Sequence, residues 1–214
     1  MNSWFFNHKM ISIYFLFLLL FSSCKSEFEK EYSLLKGSHI AFPNTLSMTF
    51  EGKDTIVNEL FNSQYKLVVY KDSMSCTPCY IETLSKWNRI LNKYNKDVLA
   101  IFFILSPSEE EEDFRLLLRY SDFKYPVLID NEQMFLKLNK QIPNNKKLHT
   151  FLLNSNNDVI FIGNPLENGR IEDLFEKQIQ FQIICLTKKI FYEKSCSFLF
   201  DAIIICIKYV PFVL

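Results

Sequence analysis

The sequence predicts an α/β domain with a central mixed sheet flanked by helices, on three observations. An apolar run from Tyr65 to Lys71 leads through a C-x-x-C motif into a stretch from Cys79 to Tyr94 with apolar residues at helical spacing. A second unbroken apolar run, Val98 to Leu105, follows that helix and is apolar on both faces, as in a parallel strand covered by helices. Further on, His149 to Asn154 and Val159 to Gly163 flank Asn156-Asn157 and read as an antiparallel hairpin, which makes the sheet mixed.

The helix after the motif places Ile81, Leu84, Trp87, Ile90 and Leu91 on one face, so Trp87 reads as core and not as a substrate platform. Ser108 is placed to cap a helix from Glu109 to about Ser121, with Phe114, Leu117 and Leu118 inward. The acidic run from Glu109 to Asp113 then complements the helix dipole and is not read as a metal site. Tyr125 to Ile129 reads as a third buried strand, Glu132 to Leu138 as a short helix, and Asn168 to Gln180 as the last helix. Upstream, Gly37 to Phe50 with Pro43, and Asp54 to Glu59, read as short edge strands.

Composition limits the partners. The chain has 214 residues, which less a leader suits one domain of ordinary size. A formal net charge of +0 leaves no basic excess to meet a phosphate backbone, so nucleic acid is excluded as a partner. With 4 glycines and 22 phenylalanines, the core is expected to be aromatic and the scaffold poor in loops.

The chemistry centres on Cys76-Thr77-Pro78-Cys79, at the junction of a strand and a helix. Two cysteines so spaced on a first helical turn can close a disulfide. The first also meets the unpaired N–H groups and positive dipole end of the helix, which stabilise its thiolate. Cys76 is thus suited to open a partner's disulfide, and Cys79 to resolve the mixed disulfide. Pro78 fits a first turn, where its missing N–H costs nothing. A zinc half-site would require a second pair of ligands, which the following sequence lacks. A static structural disulfide would close too short a loop to add much stability.

These residues, with Glu82, the stretch Tyr125-Pro126-Val127-Leu128-Ile129-Asp130 and the stretch His149-Thr150-Phe151-Leu152-Leu153-Asn154, resemble the extracytoplasmic thioredoxin-like thiol-disulfide oxidoreductases. The likeness is to the membrane-anchored branch that is also similar to peroxiredoxins, and it runs from about Gly37 to Gln180. It implies a thioredoxin-like fold and a catalytic set of Cys76, Cys79 and Glu82, with Glu82 exchanging a proton with Cys79; read from the residues alone, Glu82 is a solvated helix position. It also implies a substrate groove built from Thr77, Pro78, His149 and Thr150. Two departures stand out. Leu84 occupies the place of the family's usual helical proline, and His149 that of the cis-proline which faces the cysteines. A histidine there is expected in trans, either facing the thiols, where it can bond a thiolate or share a metal, or turned to solvent.

At the N-terminus, His8 and Lys9 precede an apolar stretch from Met10 to Phe21 and then Ser22-Ser23-Cys24. This is similar to a bacterial lipoprotein leader, with Cys24 as the acylated residue; an ordinary cleaved leader and an uncleaved anchor are the alternatives. The expected organisation is a signal peptide at 1–23, a lipidated tether at 24–36, the thioredoxin-like domain at 37–180 and an apolar appendage of unknown role at 181–214. In the appendage Asp201, Lys208 and Pro211 interrupt the apolar stretch Ser197 to Leu214, and Cys185, Cys196 and Cys206 form an odd set.

The reading is a thiol-disulfide oxidoreductase, lipid-anchored on the periplasmic side of a bacterial membrane, with protein thiols and disulfides as partners; the resemblance implies that it is a reductant of protein disulfides, supplied then by an upstream membrane electron donor. It needs no cofactor beyond the Cys76–Cys79 disulfide and no metal. The alternative is a thioredoxin-fold binding lipoprotein whose disulfide is inert.

Overall fold

The computed structural model describes residues 26–44, 46–56, 58–72 and 77–194, with the side chains of 183 and 185–194 left out. The leader, Cys24, Cys76, Cys196, Cys206 and the stretch Ser197 to Leu214 lie outside the described residues.

Strand β3 (Tyr65–Lys71) runs parallel to β4 (Leu99–Leu105) in register from Tyr65↔Leu99 to Lys71↔Leu105. Between them the chain forms α3 (Thr77–Leu84), a 3₁₀ turn (Ser85–Trp87) and α4 (Asn88–Lys93). The predicted single helix is therefore interrupted, although it carries no proline at Leu84. The Thr83 and Ser85 hydroxyls donate to the carbonyls of Tyr80 (2.7 Å) and Glu82 (2.9 Å), local bonds that compete with the helical ladder. From β4 the chain crosses over α5 (Glu111–Tyr120) to β5 (Val127–Ile129), again parallel. That strand begins two residues later than predicted. Pro126 has no N–H for a ladder, and the Tyr125 hydroxyl instead accepts from the Ile101 amide (3.2 Å).

After α6 (Met134–Leu138) and a 3₁₀ turn (Lys146–Leu148), β6 (Thr150–Leu153) lies antiparallel to β3, and β7 (Val159–Ile162) antiparallel to β6. The other edge carries β1 (Ser47–Phe50), antiparallel to β5, and its hairpin partner β2 (Lys53–Asp54). The seven-stranded mixed sheet has the order β2-β1-β5-β4-β3-β6-β7. A parallel β-α-β unit whose first strand pairs antiparallel with a following hairpin and helix is the thioredoxin-like order, here extended by α5 and β5.

Alternation along β4 divides the core. Phe103 packs edge-on against Trp87 (5.5 Å between ring centroids) and Phe123 (5.1 Å), on the face covered by α3 and α4. Phe102 meets Phe61 (4.9 Å) and Phe42 (5.1 Å) on the opposite face. The abundance of phenylalanine is thus spent on both sides of the central strands, and Trp87 is core.

Several predicted boundaries are corrected. Of the expected strand Asp54 to Glu59 only Asp54 lies in a strand, at the end of β2; Asn58–Phe61 forms a one-turn helix, α2, which buries Leu60 and rests the half-exposed Phe61 ring on Phe102. The expected tether contains helix α1 (Glu27–Leu35), started by a reciprocal capping box between Ser26 and Glu29. It docks on the domain: Leu35 is fully buried, and the Gly37 amide donates to Val159 of β7 (2.9 Å). The last helix, α7 (Gly169–Lys194), runs well past Gln180 into the segment expected to be an appendage. Phe175 and Ile179 bury against the sheet, and Glu172 bonds Arg89 of α4 (2.7 Å). Among the described residues no helix is long and apolar enough to cross a membrane.

Candidate functional site

Parallel strands β3, β4 and β5 end together, and the loop that leaves β4 reaches the start of α3 through Glu109. The Ser106 amide donates to Lys71 (2.8 Å) and the Asp130 amide to Leu105 (2.9 Å), which ties the three strand ends together. Thr77 opens α3 and is completely buried. Its hydroxyl donates to the carboxylate of Glu109, which stands in the loop after β4. That bond, joined by bonds from Ser108 and the Glu109 amide and opposed by partial burial, holds the Glu109 carboxyl below its ordinary range. Ser108 therefore does not cap the helix. Helix α5 starts at Glu111 after Glu110, with no side-chain cap, and its first turn takes Glu111, Glu112 and Asp113. Glu109 is left outside it, bonded to the motif.

Cys79, exposed on the first turn of α3, is disulfide-bonded. Tyr80 packs beside it with its hydroxyl pushed up to about 12 by burial, and the Lys71 ammonium lies 5.6 Å from its ring centroid. Pro78 is exposed and borders a groove of about 450 Å³ between α3 and α5, lined also by Ile81, Glu82, Leu116 and Tyr120. Glu82 is solvent-exposed on that rim. The structure thus gathers Thr77, Pro78, Cys79 and Glu82 on one turn and the next. Thr77 points away from the groove, into its bond with Glu109.

His149 and Thr150 lie at the start of β6, both buried. His149 is in trans, as expected, because the described backbone has no cis peptide bond. Its side chain is not turned to solvent. The ring packs edge-on against Tyr70 (5.4 Å), on the sheet face that carries Phe135, Phe42 and Phe102. Nε2 donates to the Pro143 carbonyl at 2.8 Å; a carbonyl can only accept, so Nε2 carries the proton. Burial lowers the His149 pKa, partly offset by the Pro143 bond and by Asp72. Thr150 pairs with Val69 across the ladder. Nearby, burial and the charges of Asp130 and Asp72 raise the Tyr70 hydroxyl far above its ordinary value. That hydroxyl has no hydrogen-bond partner among the described residues. Asp72 sits 3.4 Å from Lys146 Nζ. Among the described residues, no group of three or more His, Cys, Asp or Glu side chains converges to hold a metal.

Glu109 is the residue that sequence reasoning assigned elsewhere. A signal was present: the acidic run from Glu109 to Asp113 is longer than one helical turn can use, so an acid at its start was left over.

No protein-family model matches the chain, and no curated protein matches it. Solved structures do. A thioredoxin-like protein in its oxidised form matches with a TM-score of 0.47 and 14% identity, over 68% of this chain and 97% of that one. The thioredoxin domain of a thiol-disulfide oxidoreductase from Bacteroides vulgatus matches with a TM-score of 0.42 and 17% identity, over 67% and 97%. The protein AhpC from Enterococcus faecalis matches with a TM-score of 0.43 and 12% identity, over 78% and 99%. The strand order and the placement of α3 define the class: the chain has a thioredoxin-like fold.

Proposed function

We propose that this protein is a thiol-disulfide oxidoreductase that reduces protein disulfides, with Cys76 as nucleophile and Cys79 as resolving thiol. The observation that carries the reading is a disulfide-bonded Cys79 exposed on the first turn of α3, at the C-terminal ends of parallel strands. In the reaction the Cys76 thiolate attacks one sulfur of a partner's disulfide, forms a mixed disulfide and releases the partner's other sulfur as a thiolate. Cys79, as thiolate, then attacks Cys76 and frees the partner's second thiol. Two electrons have passed to the partner, and the pair is left as the Cys76–Cys79 disulfide. An upstream dithiol donor, membrane-borne in this reading, returns it to the reduced state. Chemistry of this kind suits a site outside the cytosol, on the periplasmic side of a membrane to which an acylated Cys24 tethers the chain.

The test is thiol trapping of the Cys79→Ser full chain in cells. Mixed disulfides that disappear when Cys76 is also replaced are the expected result. Their absence would leave a binding module with an inert disulfide.

A further inference from the structure

We propose that Glu109 is a positioning residue for the redox pair, an anion that acts through the Thr77 hydroxyl to disfavour the reduced form and so make the pair a stronger reductant. The inference rests on the oxidoreductase reading. Thr77 stands between the two cysteines in sequence, is completely buried, and has its hydroxyl committed to Glu109. That commitment has two effects. It occupies the one side-chain hydroxyl of the motif, so that donor is not available elsewhere. It also fixes a carboxylate, held ionised by the same bond, beside the dipeptide that joins the sulfurs.

Reduction of the disulfide takes up two electrons and two protons from a dithiol, which is itself oxidised to a disulfide. The S–S bond breaks, and one of the resulting thiols ionises readily. The disulfide is neutral and the thiolate is not, so a neighbouring anion raises the energy of the reduced form alone. Lys71, whose ammonium lies over Tyr80, acts in the opposite sense from the β3 side, and Glu82 is solvated on the outer rim. Glu109 is the charge bonded directly to the motif.

The test equilibrates the full chain with reduced and oxidised dithiothreitol and measures the fraction of disulfide in the parent, Glu109→Gln and Thr77→Val. An amide accepts the same hydroxyl without charge. Glu109→Gln is expected to move the exchange equilibrium about tenfold toward the dithiol, a potential about 30 mV more positive. Thr77→Val, which releases the carboxylate to solvent, is expected to move it the same way. A parental potential in Glu109→Gln would overturn the inference, since a purely structural bond survives that change. A parent that exchanges no electrons with dithiothreitol would instead overturn the oxidoreductase reading beneath it.

Discussion

The His149 Nε2–H donates to the Pro143 carbonyl across 2.8 Å, and that bond fixes a neutral ring in the core beneath β6. Burial lowers the pKa of His149 in the fold, whereas the unfolded chain titrates near the ordinary value of about 6.5. As pH falls through that value the unfolded chain takes up a proton that the folded chain refuses, so stability is lost toward acid and is fully present above it. The nearby charges act on the ring in both senses: Asp72 favours its protonation, and Lys146 and Lys71 oppose it. Chemical denaturation at pH 7.5 and 5.5 should show a loss in the parent that shrinks in His149→Gln, whose amide also donates but does not titrate. Equal losses in the two proteins would remove His149 as the cause.

The turn between β1 and β2 gives a second prediction. Glu51 and Gly52 have φ of 52° and 72°, and Phe50 pairs with Lys53, so the hairpin closes through two left-handed residues. A Cβ at Gly52 would also stand 2.2 Å from the Arg115 carbonyl oxygen of α5, a backbone atom that cannot swing aside. Gly37 has φ of 78°, with nothing within 4 Å of its added Cβ. Gly37→Ala should therefore cost only the backbone strain of about 1–2 kcal/mol, and Gly52→Ala clearly more. Urea midpoints of the two variants measure the difference, and equal costs would mean that α5 does not press on the turn.

What could be read in advance follows from how far each signal reaches along the chain. Tyr65 to Lys71 was legible to the residue because a buried parallel strand is a local apolar run, and Trp87 because its period matches Leu84 and Ile90. The hairpin after Thr150 was legible because Asn156 and Asn157 mark its turn, the latter at φ of 64°. Contacts across long separations were not legible. Nothing near Leu35 announces that it packs on the domain, or that its neighbour Lys36 donates to the Ile160 carbonyl 124 residues away. Nothing near His149 says that its ring lies against Tyr70. Glu109 was misassigned because a run of acids before a helix has a sufficient local explanation, and its actual partner, Thr77, is 32 residues away.

The resemblance of the motif implied that Glu82 serves the cysteines, with a solvated place on the helix as the alternative, and in the structure Glu82 is exposed. A carboxylate that exchanges protons with a thiol near neutral pH needs a raised pKa, which burial or a second anion supplies. Glu82 is exposed on the groove rim, and no residue described here donates a hydrogen bond to its carboxylate. Glu82→Gln should then reduce a disulfide substrate at a rate within about twofold of the parent from pH 6 to 8, with an unshifted profile. Stopped-flow oxidation of the reduced pair by a small disulfide, followed through tryptophan emission, measures it. A slower variant whose rate loses its dependence on pH would restore Glu82 as the proton-exchanging group and require that the groove close over it during the reaction.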